Sequence, residues 1–92
     1  MLYVIIGFDG PNGKNKRPIY RPAHLERLNT LDTQGKLVLA GPLTDGTGSL
    51  IVMEASSLTE AEQFAQEDPY VTNGIFEKVS VHPFTQVLPS PS

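Results

Sequence analysis

The 92-residue chain contains no cysteine, which excludes a disulfide framework, thiolate chemistry and any metal site built on sulfur. It also has no apolar run close to the ~18 residues that a membrane-spanning helix needs. The apolar start of the chain, residues 1–6, has no basic segment before it and is soon followed by Asp9, unlike a secretory signal peptide. We therefore expect a cytoplasmic protein that is not inserted in a membrane.

Positive charge is scarce as well, since 7 Lys and Arg face 10 Asp and Glu and the net charge is −3. The one loose basic stretch, residues 14–21, is too short for the broad basic surface that follows a phosphate backbone, so we expect no nucleic-acid partner. The 2 histidines lack the spacing of metal ligands on a helix. The glycines of residues 7–13 are not followed by the Lys-Ser/Thr of a phosphate-binding loop. No metal and no cofactor are predicted.

A chain of this length forms one small domain and buries only about 60–65% of its unfolded surface. We assign residues 1–87 to this single domain. The Pro- and Ser-rich residues 88–92 are predicted to be a flexible tail.

Apolar patterns and turn residues predict the element order β-α-β-β-α-β. Pro22 suits the first position of a helix and Gly35 the position after its end, while Asp45-Gly46 is typical of a hairpin turn and Ser57 with Glu60 forms a capping box. The predicted strands are Leu2–Phe8, Leu37–Leu43, Ser49–Ala55 and Ile75–Phe84; the predicted helices are Pro22–Gln34 and Ser57–Glu67, followed by a turn at Pro69–Asn73. This order indicates a ferredoxin-like α+β fold, a four-stranded antiparallel sheet with two helices on one face.

The first predicted strand is apolar on both of its faces, whereas a strand with one solvent-exposed face alternates apolar and polar residues. Two helices cover only one face of such a sheet. We therefore expect a second copy of the chain to cover the other face, which gives a homodimer with clefts between two packed sheets. In the last strand the face that carries Lys78, Ser80 and His82 is mixed, as expected for a cleft lining.

His24 is placed by a helical wheel within the apolar arc formed by Leu25, Leu28 and Leu31. In the predicted helix it lies in the first turn, where the helix dipole disfavours a cation. The expectation is a neutral imidazole able to accept a proton as a general base. The alternative is a core histidine bonded to a backbone carbonyl, and the spacing leaves both interpretations open.

Asp68 also falls inside an apolar stripe, that of the second helix, and has two interpretations. It is either a functional carboxylate or the N-cap of a short turn that begins with Pro69. In this topology we expect the two helices to run roughly parallel, which places His24 and Asp68 on the order of 15 Å apart. A direct hydrogen bond between them then needs either a bent entry into the first helix or a contribution from the partner subunit.

Five further residues are candidates for contact with a small molecule. Arg21 either binds a carboxylate or lies in solvent, and Gly41-Pro42 either brings backbone groups near a ligand or simply ends a strand. Tyr70 and Phe76 either line a cleft or pack in the core. The residue pattern favours the strand end for Gly41-Pro42 and core packing for Tyr70 and Phe76, and it does not choose for Arg21.

Four segments, in this order, resemble the YciI-like family: Arg21-Pro22-Ala23-His24-Leu25, Ala40-Gly41-Pro42-Leu43, Asp68-Pro69-Tyr70-Val71 and Val79-Ser80-Val81-His82-Pro83-Phe84. The resemblance extends over residues 1 to about 87. It implies a dimeric α+β barrel of ferredoxin-like subunits, with a His–Asp pair in a cleft that corresponds to His24 and Asp68. The loop at residues 45–48 is shorter than in many members of the family.

Most members of that family have no assigned reaction, although some relatives resemble dehydrochlorinases, and muconolactone isomerases share the wider fold. The resemblance and the position of His24 together favour a small dimeric enzyme. Its chemistry is expected to be cofactor-free acid–base catalysis of an elimination, an isomerisation or a lactone reaction on a small organic acid or ring. The alternatives are a small-ligand-binding or stress-associated module without catalysis, and a cofactor-free monooxygenase.

Overall fold

A computed structural model describes residues 1–90 and confirms the ferredoxin-like order, with one short additional helix. The elements are β1 (Leu2–Asp9), α1 (Gly13–Thr33), β2 (Leu37–Pro42), β3 (Gly48–Glu54), α2 (Leu58–Gln66), α3 (Pro69–Thr72) and β4 (Phe76–Phe84). None of the helices within these 90 residues has the length and apolarity needed to cross a membrane.

The four strands form one antiparallel sheet in the order β2-β3-β1-β4. At its centre, Ile5 of β1 lies between Ile51 of β3 and Val81 of β4. Alternate residues of the strands face the helices and form the core there. This core contains Tyr3, Ile5, Leu28, Leu31, Ile51, Met53, Ala55, Ala61 and Ala65.

Helix α1 begins at Gly13 rather than at Pro22, so the predicted start of this helix was wrong. Pro18 and Pro22 lie inside it. A proline within a helix removes one backbone donor and leaves one carbonyl without its usual partner; both prolines are exposed, so water can reach this side of the helix. His24 therefore lies about three turns into the helix, and the expectation of a neutral imidazole from the dipole of a first turn does not apply.

The two long helices run antiparallel, which corrects the predicted parallel arrangement and the separation of His24 from Asp68. Helix α1 connects the end of β1 to the start of β2, and α2 leads from the end of β3 towards β4. Because β1 and β3 are antiparallel, the helices that follow them are also antiparallel. The end of α2 and the short α3 therefore lie beside the N-terminal half of α1, where His24 is found.

Helix ends follow the sequence more closely. The hydroxyl of Ser57 accepts a hydrogen bond from the backbone N–H of Glu60 and caps α2, as the capping box predicts. Gly35 follows α1 with a φ of 74°, a conformation that costs glycine little because it has no Cβ. Residues 85–90 form no helix or strand; the predicted tail begins among them, and its last two residues lie outside the described part of the chain.

The sheet face opposite the helices carries the second apolar row of β1, beside the mixed residues of β4. Leu2, Val4, Ile6 and Phe8 alternate with the buried residues of β1 and are half-buried or exposed. In the centre of this face, Val4 lies between Val52 and His82. The periodicity of β1 thus gives one face to the core and leaves a second apolar face outside it.

Candidate functional site: a histidine and an aspartate beside a cationic cavity

His24 and Asp68 form a direct contact. The Nδ1 atom of His24 lies 2.8 Å and 2.9 Å from the two carboxylate oxygens of Asp68, and both side chains are buried. A carboxylate only accepts hydrogen bonds, so the proton of this pair belongs to Nδ1. In the neutral form of the imidazole, Nε2 is then the nitrogen that can accept a proton.

Asp68 combines the two roles that the sequence left open. Its Oδ1 atom accepts a hydrogen bond of 2.8 Å from the backbone N–H of Tyr70 and caps α3, in which Pro69 occupies the first turn. The same carboxylate holds His24 from the other side. The hydrogen bond that caps α3 therefore also holds the carboxylate that contacts the imidazole.

Arg27 of α1 lies next to the His24–Asp68 pair and was not among the predicted site residues. Its Nη1 atom lies 3.8 Å from Oδ2 of Asp68, its Nη2 atom donates to the carbonyl of Phe64 at 2.9 Å, and its guanidinium stacks on the Phe64 ring at 4.2 Å. Among residues 1–90, Nη1 is the one buried side-chain nitrogen or oxygen without a hydrogen-bond partner. Its position three residues after His24 places it on a neighbouring part of the helix surface, a signal available in the sequence.

Two aromatic rings support His24 from the side of α3 and β4. The Tyr70 ring stacks on the imidazole with centroids 3.9 Å apart and an interplanar angle of 5°, and Phe76 meets the Tyr70 ring edge-on at 5.5 Å. Burial raises the pKa of the Tyr70 phenol. Phe76 fits because Gly7 has no side chain: a Cβ there would lie 2.5 Å from the ring. Tyr70 lines the adjacent cavity, whereas Phe76 packs behind it and not in the lining.

A second polar group, formed by Arg17, Asp9 and Ser49, was also not predicted. The Nε and Nη2 atoms of Arg17 donate to the Asp9 carboxylate at 2.8 and 2.7 Å, and Nη2 also donates to the Ser49 hydroxyl at 3.1 Å. The hydrogen bond to Asp9 is the main cause of the raised pKa of Arg17. Arg17, Arg21 and His24 are spaced by four and three residues, a helical pattern that a longer predicted α1 would have shown.

These groups meet at a cavity of about 410 Å³ between α1, α3 and the β2–β3 edge of the sheet. Of the residues predicted to contact a ligand, Arg21, Gly41, Pro42 and Tyr70 line it together with His24. Within residues 1–90, Nε2 of His24 takes part in no hydrogen bond. It is also not one of the solvent-inaccessible side-chain atoms that lack a hydrogen-bond partner, so part of its surface is accessible. Nε2 is therefore accessible from the cavity.

The cavity wall is positively charged, although the chain as a whole has a net charge of −3. Two guanidinium groups, those of Arg17 and Arg21, line it, and no Asp or Glu from the described residues does. Residues 1–90 contain no cluster of three His, Asp or Glu side chains suited to a metal ion. What the site offers chemically is an oriented proton acceptor beside hydrogen-bond donors of positive charge.

Comparisons with known proteins extend over nearly the whole chain. The model of the YCII-related domain matches residues 1–85. The Protein YciI of Escherichia coli O6:H1 is 42% identical over 98 residues, covering 96% of this chain and all of that protein. An uncharacterised protein of Haemophilus influenzae is 37% identical over the same coverage.

Two solved structures also match over nearly the whole chain. A 5-chloro-2-hydroxyhydroquinone dehydrochlorinase from Burkholderia phenoliruptrix, in complex with 2,5-dihydroxybenzoquinone, matches with a TM-score of 0.82 and 31% identity over 92% of this chain and 94% of that one. A protein of Mycobacterium tuberculosis shares the fold with a TM-score of 0.52 and 11% identity, covering 94% of this chain and 96% of that one. The family model and the near-complete coverage by relatives lead to one conclusion: the chain belongs to the family of the YCII-related domain.

Proposed function

We propose that this protein is an enzyme that transfers protons on a small organic ring or ring acid, with His24 as general base and acid. The observation that carries this proposal is the imidazole itself. Its Nδ1 atom is held by a buried, backbone-capped carboxylate, and its Nε2 atom is left free at a cavity. A positioned group that exchanges a proton with a substrate contributes about 10²–10⁴-fold to a rate.

The proposed step begins when Nε2 takes a proton from an acidic C–H or O–H bond of the ligand. Asp68 stabilises the resulting imidazolium through Nδ1–H, and the electron pair of the broken bond stays on the substrate. If the imidazolium returns the proton to another atom, the substrate is isomerised. If that electron pair instead forms a new double bond while a leaving group departs with the electrons of its own bond to the ring, the result is an elimination. Neither outcome changes the redox state of the protein.

The class of substrate is supported by cavity size and by the similarity to the dehydrochlorinase. About 410 Å³ lies within the range of small-molecule sites, roughly 300–1,000 Å³, and suits a single substituted ring. The solved relative with 31% identity acts, by its name, on a chlorinated hydroxyhydroquinone and holds 2,5-dihydroxybenzoquinone. For this chain we propose a hydroxylated or otherwise acidic ring of similar size.

We also propose that the protein is a homodimer that buries the open sheet face. The support is the row of half-buried apolar residues on β1, since a large apolar patch on a soluble chain marks an interaction surface. Val4→Lys places a charge between Val52 and His82 and is expected to give a folded monomer in analytical ultracentrifugation. Thr30→Lys on the exposed side of α1 is the control. A wild-type protein that sediments as a monomer at micromolar concentration would refute the dimer.

The test of the catalytic proposal measures proton transfer directly. The protein is incubated without oxygen with 5-chloro-2-hydroxyhydroquinone, and chloride release is followed. A panel of lactones and hydroxylated rings is incubated in D₂O, and the exchange of ring hydrogens is followed by NMR. We expect exchange or elimination with the wild-type protein, a loss of at least ~100-fold in His24→Ala, and no loss in Asp32→Asn, which changes an exposed residue of α1.

The outcomes separate the alternatives. Full activity in His24→Ala would overturn the proposed role of the imidazole. Ligand binding without exchange or release across the panel would favour a binding module instead. Consumption of O₂ by an electron-rich ring in aerobic buffer would favour a monooxygenase.

A further inference from the structure

Asp68 is a buried carboxylate that needs a positive charge nearby. It accepts hydrogen bonds from the backbone N–H of Tyr70 and from Nδ1 of His24, and neither donor is charged when the imidazole is neutral. An ionised carboxylate removed from water is costly unless a positive charge lies close to it. Two groups can supply that charge, a protonated His24 or the guanidinium of Arg27. If His24 supplied it, Nε2 would already carry a proton and could not accept another.

The guanidinium of Arg27 is held in place by the end of α2. The backbone N–H of Asp68 donates to the carbonyl of Ala65 at 3.2 Å, not to that of Phe64, one residue earlier. The Phe64 carbonyl accepts instead from Nη2 of Arg27 at 2.9 Å, and the guanidinium lies 4.2 Å above the Phe64 ring. A cation at this end of a helix is also favoured by the helix dipole. The position of the Arg27 charge is thus set by α2.

This position brings the charge close to Asp68 without a hydrogen bond. The Nη1 atom of Arg27 is buried and lies 3.8 Å from Oδ2 of Asp68, which is too long for a hydrogen bond but short enough for an ion pair. Both carboxylate oxygens therefore stay within 2.9 Å of Nδ1 of His24. Arg27 contributes its charge to Asp68 and does not compete with the imidazole for an acceptor.

The other charged groups near His24 are already balanced or lie at the cavity. The titratable and charged side chains around the imidazole are those of Arg17, Arg21, Arg27, Asp68 and Tyr70. Arg17 forms an ion pair with Asp9. Burial raises the pKa of the Tyr70 phenol, so this group is neutral at physiological pH. The cavity-lining residues of β2 and β3 have no charged side chain. Among the ion pairs within residues 1–90, Asp68 contacts only His24 and Arg27.

From these contacts we infer that Arg27 is the positioning residue that keeps His24 ready to act as a base. Its guanidinium supplies the counter-charge of Asp68, so the resting imidazole has its one proton on Nδ1 and none on Nε2. The three side chains then have a net charge of zero. When Nε2 takes a proton from the substrate, their net charge becomes +1, which favours return of that proton later in the cycle. This inference rests on the proposed proton transfer and adds how its resting state is maintained.

The first test needs no substrate and follows the two histidines by NMR as pH is changed. Arg27→Gln keeps an N–H donor for the Phe64 carbonyl but has no charge, whereas Arg27→Lys keeps the charge. Loss of a nearby cation favours the imidazolium. We therefore expect His24 in Arg27→Gln to stay protonated up to a pH about one unit higher than in the wild-type protein, and His24 in Arg27→Lys to change much less. His82, paired with Val4 on the opposite face of the sheet, is the internal control and should not change.

Two results of this titration would overturn the inference. The first is a His24 signal that titrates at the same pH in the wild-type protein and in Arg27→Gln. The second is an equal change in Arg27→Gln and Arg27→Lys, which would assign the effect to the packing of the guanidinium and not to its charge. Thermal melts check that each variant is folded. If Arg27→Gln is not folded, Arg27→Met repeats the removal of charge with an aliphatic chain over the Phe64 ring.

The second test measures kcat/KM against pH with the substrate found in the exchange experiment, because this profile reports protonation of the free enzyme. We expect Arg27→Gln to be about tenfold slower than the wild-type protein where its imidazole is protonated, and to recover nearly full activity in mildly alkaline buffer. Lys36→Gln, which removes an exposed cation between α1 and β2, is the control and should keep the wild-type profile. An equal loss in Arg27→Gln at every pH would indicate a merely structural role and overturn the inference.

The two tests keep this inference separate from the proposed function. If His24→Ala abolishes exchange but Arg27→Gln changes neither the titration of His24 nor the pH profile, proton transfer stands and the role of Arg27 falls. If Arg27→Gln shifts the titration of His24 but His24→Ala remains fully active, the counter-charge role of Arg27 stands and the proposed reaction at His24 falls.

Discussion

Asp68→Asn separates the two roles of Asp68. Asparagine is as good an N-cap as aspartate, so its side-chain oxygen can still accept the 2.8 Å hydrogen bond from the N–H of Tyr70. The same oxygen lies 2.8 Å from Nδ1 of His24, and the amide nitrogen replaces the second carboxylate oxygen, which was 2.9 Å from Nδ1. An amide NH₂ only donates. We therefore expect Nδ1–H to keep only a neutral acceptor and to face a second donor. The imidazolium that forms when Nε2 takes a proton also loses the negative charge that stabilised it.

The cost in stability follows from the contacts. A hydrogen bond to a charged group contributes about 1.5–3 kcal/mol and a neutral one about 1, so the change at His24 removes about 0.5–2 kcal/mol. The Arg27 contact at 3.8 Å, with that side chain 26% exposed, adds at most about 1 kcal/mol. Asp68→Asn should thus lower the free energy of unfolding by about 0.5–3 kcal/mol. Asp68→Ala also removes the cap, which costs about 1 kcal/mol more.

Urea unfolding followed by circular dichroism measures both differences, and NMR of the imidazole nitrogens identifies which one carries the proton. Asp32→Asn again serves as the control for removal of a negative charge from the exposed helix surface. We expect Asp68→Asn to lose about 10²–10⁴-fold in activity with its helices intact. If Asp68→Asn is as stable and as active as the wild-type protein, the charge of Asp68 does not support His24 and the reasoning fails.

Three further perturbations test other contacts. Gly7→Ala places a Cβ 2.5 Å from the Phe76 ring and should cost about 1–3 kcal/mol in urea unfolding, with part of the loss recovered in the double variant that also carries Phe76→Leu; no loss would mean that the ring has room to move. Hydrogen bonds from Ser56 lower the pKa of Glu60. The Glu60 carboxylate therefore stabilises the fold at pH values above its pKa in the unfolded chain, and this stabilisation is lost as pH falls through its pKa in the folded protein. Glu60→Gln should lower the melting temperature at neutral pH but not in acid, and an equal difference at both pH values would contradict this. Burial raises the pKa of Tyr70, so the stability that it contributes is present below its unfolded pKa of about 10 and is lost as pH rises towards the folded value. Tyr70→Phe should flatten the loss of stability in alkali, and an unchanged alkaline profile would show that the phenol does not ionise on unfolding.

Local signals in the sequence predicted the elements that depend on local chemistry. Ser57 and Glu60 gave the start of α2, and Gly35 gave the end of α1, because caps and positive-φ positions depend on a few neighbouring residues. The same local reasoning misplaced the start of α1. Pro22 suits a first helical turn, but α1 begins at Gly13, and Arg17 in this earlier part of the helix binds Asp9 at the end of β1. A tertiary ion pair of this kind has no local signature.

The sequence by itself determined the fold class, the second apolar face of β1 and the presence of His24 on an inward helix face, since these follow from periodicity. It also proposed Asp68 as a partner through the resemblance to a family. Only the tertiary structure decided that His24 and Asp68 touch, because the distance depends on the antiparallel course of α1 and α2 over the sheet. The same is true of Arg17 and Ser49, which are 32 positions apart in the chain and meet only because β3 pairs with β1 beneath the start of α1. Periodicity fixes which side of an element a residue occupies, whereas the pairing of strands fixes which sides face each other.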